Sequence, residues 1–153
     1  MSNFTFTTSA FNDLSASTLY SILRLRSEVF VLEQTCLYQD MDNKDTQQDC
    51  EHVLMLKDDK LCGYARILAP NISYSGSSIG RVLIASKFRG QGLAKMLMAF
   101  CIKRTFERYP TQPIQIGAQC YLQKFYESLG FVAISEPYDE DGIMHLDMEL
   151  VHQ

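Results

Sequence analysis

The sequence predicts an α/β fold of three layers, α/β/α, with helices on both faces of a mixed, mostly antiparallel sheet. Segments with alternating apolar residues are interspersed with segments whose apolar residues recur at helical spacing, and this mixture indicates packed strands and helices. The 153 residues also fit one domain, residues 1–153, which is long enough to bury a core without disulfides or a metal.

The first predicted elements are a short strand at residues 4–8 and an amphipathic helix. Ser15 or Ser17 caps this helix, which runs to about Val31. Its apolar residues recur at helical spacing and form one face: Leu19, Ile22, Leu23, Val29 and Phe30. Its charged residues are predicted to lie off that face: Arg24, Arg26 and Glu28.

A polar, acidic stretch precedes a predicted hairpin. Residues 39–49 show no periodicity and predict a loop. Residues 52–56 and 61–68 predict two strands that turn at residues 57–60. A loop rich in Pro, Asn, Ser and Gly, residues 70–78, then leads to a strand at 79–85.

The second half of the chain mixes helices and strands. Apolar residues after Gly92 recur at helical spacing, and the helix stops before Pro110, which cannot continue it. The remaining predicted elements are a strand at 114–118, a helix at 122–129 that ends at Gly130, and a hairpin of residues 131–138 and 143–150 with its turn at 139–142.

Composition argues against several classes of protein. The formal net charge of −4 disfavours nucleic acid as a partner, because phosphate neutralisation needs clustered Lys and Arg. No apolar run approaches the roughly 18 residues of a membrane span, and the N-terminus has no basic region before an apolar stretch, so no secretory signal is expected. Five cysteines without a CxxC spacing predict reduced thiols in a cytoplasmic protein, with neither a zinc site nor a disulfide framework.

The acidic loop matches a calcium-binding loop only in part. Asp40, Asp42 and Glu51 take the first, third and twelfth positions of the EF-hand pattern. Lys44 stands at the fifth position, however, and Asp45 replaces the glycine that the turn needs. The sequence therefore predicts no metal site.

A turn with two glycines stands where a predicted strand passes into a predicted helix, in IGRVLIASKFRGQGLAKMLM at residues 79–98. The first N–H groups of a helix are unpaired and attract anions, and glycine lets a phosphate approach the backbone. The turn is not a P-loop, which needs Gly-Lys-Ser/Thr, nor a dinucleotide fingerprint, since Lys95 takes the third glycine position. At this point a pyrophosphate cradle and a plain tight turn both remain open for Gly90 and Gly92.

The surrounding residues resemble one family. Arg89-x-x-Gly92-x-Ala94 is similar to the acetyl-CoA signature of the GCN5-related N-acetyltransferase (GNAT) superfamily, and FYESLGF at 125–131 resembles its second hallmark. The resemblance covers essentially the whole chain. Further segments look like the ElaA-like subgroup of that superfamily: LRLRSEVFVLEQ at 23–34, YQDMD at 38–42, GAQ at 117–119 and DGIMH at 141–145.

This resemblance implies the GNAT acyl-CoA N-acyltransferase fold, whose splayed sheet has about seven strands. Two adjacent parallel strands, here 79–85 and 114–119, would part and hold acetyl-CoA between them. The backbone of Val82, Leu83 and Ile84 is expected to pair with the pantetheine arm. The pyrophosphate is expected at the turn and the helix start: Arg89, Gly90, Gln91, Gly92, Leu93 and Ala94.

The resemblance also implies the reaction, which is direct attack by a primary amine on acetyl-CoA in a ternary complex. The backbone amide of Ile84 would stabilise the oxyanion, and Tyr126, also in contact with the cofactor, would protonate the leaving thiolate as general acid. The base that deprotonates the amine is left open among four residues: Glu33, Asp40, His52 and His145.

The acceptor is a small-molecule or peptide amine in this interpretation, with no nucleic acid, membrane or metal involved, and a homodimer is left open. The acidic loop either attracts a cationic amine or is a solvated surface. An acetyl-CoA sensor with little turnover is the alternative function, and the retention of Tyr126 favours the enzyme. Residues expected near the acceptor are Glu33, Gln34, Tyr38, Gln119 and His145.

Overall fold

The computed structural model describes residues 3–153, and its first half forms an antiparallel sheet in which the strands follow chain order. Each strand pairs with the next, so β4 lies at an edge of this sheet and has β3 on one side only. The strands are β1 Phe4–Ala10, β2 Glu51–Lys57, β3 Lys60–Leu68 and β4 Ser78–Ile84.

The second half forms another sheet around its longest strand, β8, which pairs antiparallel with the other three strands. These strands are β5 Ile114–Gln119, β6 Val132–Ala133, β7 Tyr138–Glu140 and β8 Ile143–Leu150. The single strand predicted at 131–138 is therefore wrong in detail, because residues 134–137 separate β6 from β7. Pro137 lies in this gap, and proline has no N–H to donate to a sheet.

The two sheets meet at one point in the described part of the chain. Ser77 and Ile114 form a parallel bridge, and the N–H of Gln115 donates to the carbonyl of Ser77 at 2.8 Å. From there β4 and β5 diverge. The predicted splayed sheet is thus confirmed as two halves that open between β4 and β5, with eight strands among residues 3–153 where the resemblance implied about seven.

Three α-helices lie in the described range: α1 Ala16–Arg26, α2 Leu93–Arg108 and α3 Gln123–Ser128. Ser15 is the cap of α1, since its hydroxyl oxygen accepts the N–H of Thr18 at 3.1 Å. A π-helical segment, Ser27–Glu33, continues α1, so the helical stretch ends two residues beyond the predicted Val31. π-Helical turns are often found at functional sites.

The strands divide their side chains between two apolar cores, which gives the three predicted layers. Alternate residues of a strand point to opposite faces of the sheet. Leu54, Tyr64 and Leu83 pack with Ile22 of α1 and Val29 of the π-helical segment. On the opposite face, other strand residues pack with Leu93, Leu97, Met98 and Cys101 of α2: Val53, Met55, Ala65, Ile67 and Ile84.

Both hairpin turns are shorter than predicted. Asp58 and Asp59 have positive φ angles of 49° and 66°, and Asp141 and Gly142 have φ angles of 53° and 83°. Two-residue turns with positive φ match the twist of the flanking strands. The strands consequently extend to these pairs of residues, and β7 includes two positions that were assigned to the turn.

The prediction that Arg26 lies off the apolar face of the first helix is wrong, because its side chain is fully buried. Arg26 follows Ile22 by four residues and shares its face. Its guanidinium pairs with Asp40 at 2.9 Å and with Asp45 at 2.6 Å, and it lies over the ring of Tyr64. A buried charge needs such partners, and here they come from a loop far along the chain.

The loop at 39–49 is correctly predicted, but three of its four carboxylates, those of Asp40, Asp42 and Asp45, pair with arginines and do not form a solvated acidic surface. Asp40 and Asp45 are buried. Besides Arg26, Arg66 binds Asp42 at 2.8 Å and Asp45 at 3.0 Å, and Arg81 binds Asp40 at 2.8 Å. These three arginines neutralise the loop, so the suggestion that it attracts a cationic amine is wrong for these carboxylates.

Candidate functional site

A cavity of about 1090 Å³ opens where β4 and β5 diverge. Its walls come from both strands, the start of α2, α3 and the π-helical segment. The sequence motifs that define the predicted site are spread over more than a hundred residues. The cavity nevertheless brings together every residue predicted to bind the cofactor or the acceptor except Gln91, whose exposed side chain does not line it.

The turn before α2 has the backbone conformation for which glycine is suited. Gly90 and Gly92 have φ angles of 81° and 73°, in the left-handed region. A Cβ atom built at either position meets no atom within 4 Å. The glycines are therefore not needed for packing within the chain, and the backbone at this turn is open to a ligand.

A row of backbone donors runs from this turn into α2. Within the described residues, no N–H from Gly90 to Lys95 has a partner in the protein, and the first helical bond runs from Met96 to Gly92 at 3.4 Å. The start of a helix carries a partial positive charge as well as free N–H groups. Such a row can hold a phosphate or pyrophosphate.

The N–H of Ile84 points into the gap between the sheets. Ala85 donates its N–H to the carbonyl of Cys62 on β3 at 2.8 Å. Neighbouring residues of an antiparallel pair direct their backbone groups to opposite sides, so those of Ile84 face away from β3. The carbonyl of Ile84 accordingly accepts the Nε–H of Arg89 at 2.9 Å.

A β-bulge interrupts β4 beside the cavity. Tyr64 pairs with Leu83 and Arg66 with Gly80, which leaves Arg81 and Val82 opposite one residue of β3. Arg81 has a φ of 51°, which is uncommon for a residue with a Cβ atom. Its guanidinium, bound to Asp40, also lies over the ring of Tyr38. The buried ion pairs of the loop thereby hold the bulge in place.

Tyr126 of α3 lines the cavity with its phenol in an apolar setting. Its ring packs edge-on against Phe125 and Phe131. Burial raises the pKa of Tyr126 to about 12, because the charged phenolate is poorly solvated there. The hydroxyl consequently stays protonated at neutral pH and can donate a proton or a hydrogen bond.

Three of the predicted acceptor residues, Gln34, Gln119 and His145, come together at the end of β5. The side-chain amide of Gln119 donates to that of Gln34 at 3.2 Å, which connects β5 to the residue after the π-helical segment. Glu33 pairs with Arg89 at 2.8 Å. Arg89 lines the cavity, but its charge is shared with this carboxylate and with a backbone carbonyl.

Two of the four base candidates, Asp40 and His52, do not line the cavity. His52 is buried, and its two ring nitrogens are both engaged. Nε2 lies 3.0 Å from the carbonyl of Asp45, to which it donates, and Nδ1 therefore accepts from the hydroxyl of Tyr64 at 2.6 Å. Burial also lowers the pKa of His52. These contacts place both residues in the buried polar network and away from the cavity. Neither is therefore a candidate for the base.

The other two candidates, Glu33 and His145, do line the cavity. His145 donates from Nδ1 to the carbonyl of Ile143 at 2.8 Å. In the neutral ring Nε2 is then an acceptor, and it lies 3.4 Å from the carboxylate of Glu140. Glu33 and His145 are therefore the groups from the predicted set that can take a proton inside the cavity.

The sequence interpretation missed a cluster on β8. Asp147 accepts hydrogen bonds from the hydroxyls of Tyr138 at 2.7 Å and Tyr74 at 3.0 Å, and all three residues line the cavity. A signal was present in the sequence, since Asp147 stands between the apolar residues Leu146 and Met148 of a strand. In that alternation Asp147 shares the face of His145.

Within residues 3–153, no group of three or more His, Cys, Asp or Glu side chains is arranged to hold a metal ion. No helix of this range is long and apolar enough to cross a membrane. All five cysteines are free thiols, and four of them are buried, as expected for small apolar side chains.

Comparison with known proteins gives the same family along nearly the whole chain. A family model described as an acetyltransferase (GNAT) domain matches residues 12–152. The protein ElaA of Escherichia coli strain K12 is 42% identical over 137 residues, which cover 90% of each chain.

Two solved structures with nearly 40% sequence identity to this chain have the same fold. The crystal structure of Escherichia coli ElaA has a TM-score of 0.89 at 39% identity and covers 96% of this chain and 99% of its own. An acyl-CoA N-acyltransferase from Pseudomonas aeruginosa has a TM-score of 0.92 at 38% identity, with coverage of 97% and 100%.

Proposed function

Because the chain belongs to the GNAT superfamily of acyltransferases, in its ElaA-like subgroup, we propose that it transfers the acetyl group of acetyl-CoA to a primary amine. The observation that carries the proposal is the cavity between β4 and β5, which combines three features of this chemistry. These are a row of unpaired N–H groups, an inward N–H at Ile84 and a protonated Tyr126.

In this proposal acetyl-CoA binds along the last residues of β4 and at the start of α2. The N–H groups from Gly90 to Lys95 hold the pyrophosphate, where the open space beside Gly90 and Gly92 admits its oxygens. The free edge of β4 at Val82 to Ile84 pairs with the amide-rich pantetheine arm in the manner of an added strand. Acetyl-CoA supplies the activated acyl group as a thioester.

Acyl transfer forms an N–C bond and breaks the C–S bond of the thioester. The N–H of Ile84 stabilises the negative charge that develops on the carbonyl oxygen. Tyr126 gives its proton to the departing sulfur. A primary amine with a pKa of about 10.4 must lose a proton before attack, and Glu33 or His145 accepts it, directly or through water.

An acceptor panel tests this proposal. Purified protein is incubated with acetyl-CoA and amines of different chemistry, and thiol release is followed together with the mass of each product. We expect amine-dependent thiol release above the rate without amine, and an acetylated product. Parallel reactions with longer acyl-CoAs test whether acetyl is the transferred group. A faster reaction with a longer acyl chain would contradict that part of the proposal.

Calorimetric titration with CoA separates the enzyme from the sensor. Tight CoA binding with no turnover for any amine would favour the acetyl-CoA sensor, which needs the phosphate-binding turn but no general acid. Absence of both CoA binding and turnover would contradict the proposed function altogether.

A further inference from the structure

Asp147 presents one carboxylate oxygen that the protein does not use. Oδ1 accepts the hydroxyls of Tyr74 and Tyr138, whereas Oδ2 has no partner among the described residues. The backbone is held by two bonds to the same segment, since its N–H donates to the hydroxyl of Ser135 and its carbonyl accepts the N–H of Ile134, both at 2.9 Å. The carboxylate is therefore held in place before any ligand arrives.

Asp147 also differs from two other carboxylates of the cavity, because Asp42 pairs with Arg66 and Glu33 pairs with Arg89. No basic side chain of the described residues lies within 4 Å of Asp147. A half-buried carboxylate with neutral neighbours favours a cationic partner, and charge-assisted hydrogen bonds are stronger than neutral ones.

The two tyrosines serve this carboxylate as neutral donors. Burial, and then the hydrogen bond to Asp147, raise the pKa of Tyr74 to about 12. The same causes raise the pKa of Tyr138. Neither phenol contributes charge at neutral pH, and because both donate to Oδ1 they leave Oδ2 without a partner among the described residues.

Gly117 makes room for the cluster. This residue of β5 lies directly opposite Asp147 in the register of the two strands. A Cβ atom at Gly117 would lie 2.9 Å from the hydroxyl of Tyr74, closer than real contacts, and 3.1 Å from that of Tyr138, tighter than most. Without a side chain at this position, both hydroxyls reach Asp147 and neither has to shift.

Asp147 lies apart from the expected site of acyl transfer. Counting from the bridge between Ser77 and Ile114, Gly117 is level with Gly80, four residues before Ile84. At about 3.3 Å per residue, the separation along the strands is on the order of 10 Å. A group bound at Asp147 is thus joined to the reacting amine by a chain of several bonds.

We propose that Asp147, with Tyr74 and Tyr138, binds a second positive charge of the acceptor, at the far end of a flexible chain from the reacting amine. This inference rests on the proposed amine acetylation and names the class of acceptor. The alternative is an acceptor with a negatively charged end group that binds Lys44. Lys44 lines the same cavity and donates to Ser73 at 2.7 Å.

Three amines of equal length test the inference: 1,6-diaminohexane, hexylamine and 6-aminohexanoate. With acetyl-CoA in excess, we expect 1,6-diaminohexane to have the lowest KM, at least tenfold below that of hexylamine. Asp147→Asn should raise the KM for 1,6-diaminohexane at least tenfold and change kcat and the KM for hexylamine less than twofold. A preference for 6-aminohexanoate, or equal KM values for 1,6-diaminohexane in both proteins, would overturn the inference.

Matched variants guard against a folding artefact. Glu149→Gln changes a carboxylate two residues along the same face of β8, bound to Gln115 at 3.0 Å and outside the cavity lining, and should leave all three KM values unchanged. Tyr138→Phe keeps the charge of Asp147 but frees Oδ1, so its effect should be smaller than that of Asp147→Asn. A larger effect in either variant would contradict the assignment.

Binding without turnover separates the inference from the proposed function. Calorimetry of the CoA complex with 1,6-diaminohexane should show binding that Asp147→Asn weakens at least tenfold. If no amine is acetylated but this difference persists, amine acetylation fails and the cation site stands. If amines are acetylated and the difference is absent, the function stands and the cation site fails.

Discussion

Tyr126 is the residue whose chemistry the structure defines most narrowly, because burial holds its phenol protonated while the cavity gives it access to a ligand. We expect Tyr126→Phe to lower kcat by about 100-fold, at the lower end of the range for a general acid, because a thiolate is already a fair leaving group. The CoA dissociation constant should change less than twofold. Thiol release and calorimetry measure the two quantities.

Tyr20→Phe is the matched control for this change. Tyr20 lies on α1 with 73% of its surface exposed and does not line the cavity. Its replacement should leave kcat and CoA affinity unchanged. Equal kcat values for Tyr126→Phe and the unaltered protein would remove Tyr126 as the proton donor.

Arg26 allows a second prediction at the residue scale, this time for stability. Arg26→Met removes a buried cation from Asp40 and Asp45, each of which keeps one arginine partner. Loss of one member of a buried ion network costs about 3 kcal/mol. Urea unfolding should show this decrease in the free energy of unfolding, and CoA affinity should fall as well if the network holds the β4 bulge.

Arg24→Met provides the control in the same helix. Arg24 is exposed, and its loss should change the free energy of unfolding by less than about 0.5 kcal/mol. A difference of less than 1 kcal/mol between the two variants would show that the buried network contributes little to stability.

The same residues show where sequence reasoning reaches its limit. Tyr126 and the glycines were identified because their motifs are local. Arg26 was misplaced because its partners lie 14 and 19 residues away along the chain. Asp147 was missed because its role depends on two tyrosines from distant segments, and no spacing rule connects them.

At the scale of elements, the start of α2 and the turn before it form the proposed phosphate site. Gly92→Val places a branched side chain among the free N–H groups and at a positive φ. We expect the CoA dissociation constant to rise at least tenfold, which corresponds to about 1.4 kcal/mol. Calorimetric titration of the folded variant measures this change.

Gly142→Val is the control for the effect of backbone strain alone. Gly142 has a φ of 83° in the turn between β7 and β8, and the space around it is open, as it is at Gly92. Both variants should lose similar thermal stability, but only Gly92→Val should weaken CoA binding. Near-normal affinity in Gly92→Val would contradict a phosphate site at this turn.

Most elements were predictable because their signals are local. Alternating apolar residues located the strands within a few residues, and the cap at Ser15 and the break before Pro110 bounded the two long helices. The π-helical continuation of α1 and the break between β6 and β7 were not predicted. Both depend on packing between distant parts of the chain, and the periodicity of apolar residues carries no information about such packing.

At the scale of the whole molecule, three half-buried tyrosines predict the response to alkaline pH. Burial is the leading cause that raises the pKa values of Tyr38, Tyr74 and Tyr126 from the ordinary 10 to about 12. In the unfolded chain these groups ionise near pH 10, whereas the folded protein keeps them protonated. The free energy of unfolding should therefore be steady below pH 10 and fall between pH 10 and 12.

Urea unfolding at pH 8, 9, 10 and 11, with tyrosinate absorbance recorded in parallel, checks this expectation. Ionisation of the buried tyrosines should accompany unfolding instead of preceding it. A free energy of unfolding that is unchanged at pH 11 would contradict the protonated, buried state of these phenols.

The arrangement of the two sheets was inferred from family resemblance, since periodicity does not specify which strands are neighbours. Alternation predicts that 79–85 and 114–119 are strands. Only the motifs around Gly92 and Tyr126 implied that the two strands are neighbours that diverge. The structure adds that, in the described part of the chain, backbone pairing between the two sheets is limited to one bridge at Ser77 and Ile114.

The single bridge also gives the molecule two inner strand edges, one on each side of the cavity. Unpaired strand edges are templates on which another extended chain can assemble, and proteins commonly protect such edges at the rim of a sheet. Here the edges lie within the cleft, and in the proposed complex the acyl-CoA that pairs with β4 also covers an edge open to self-association. We therefore expect the concentration at which the protein stays dispersed to rise when acyl-CoA is added.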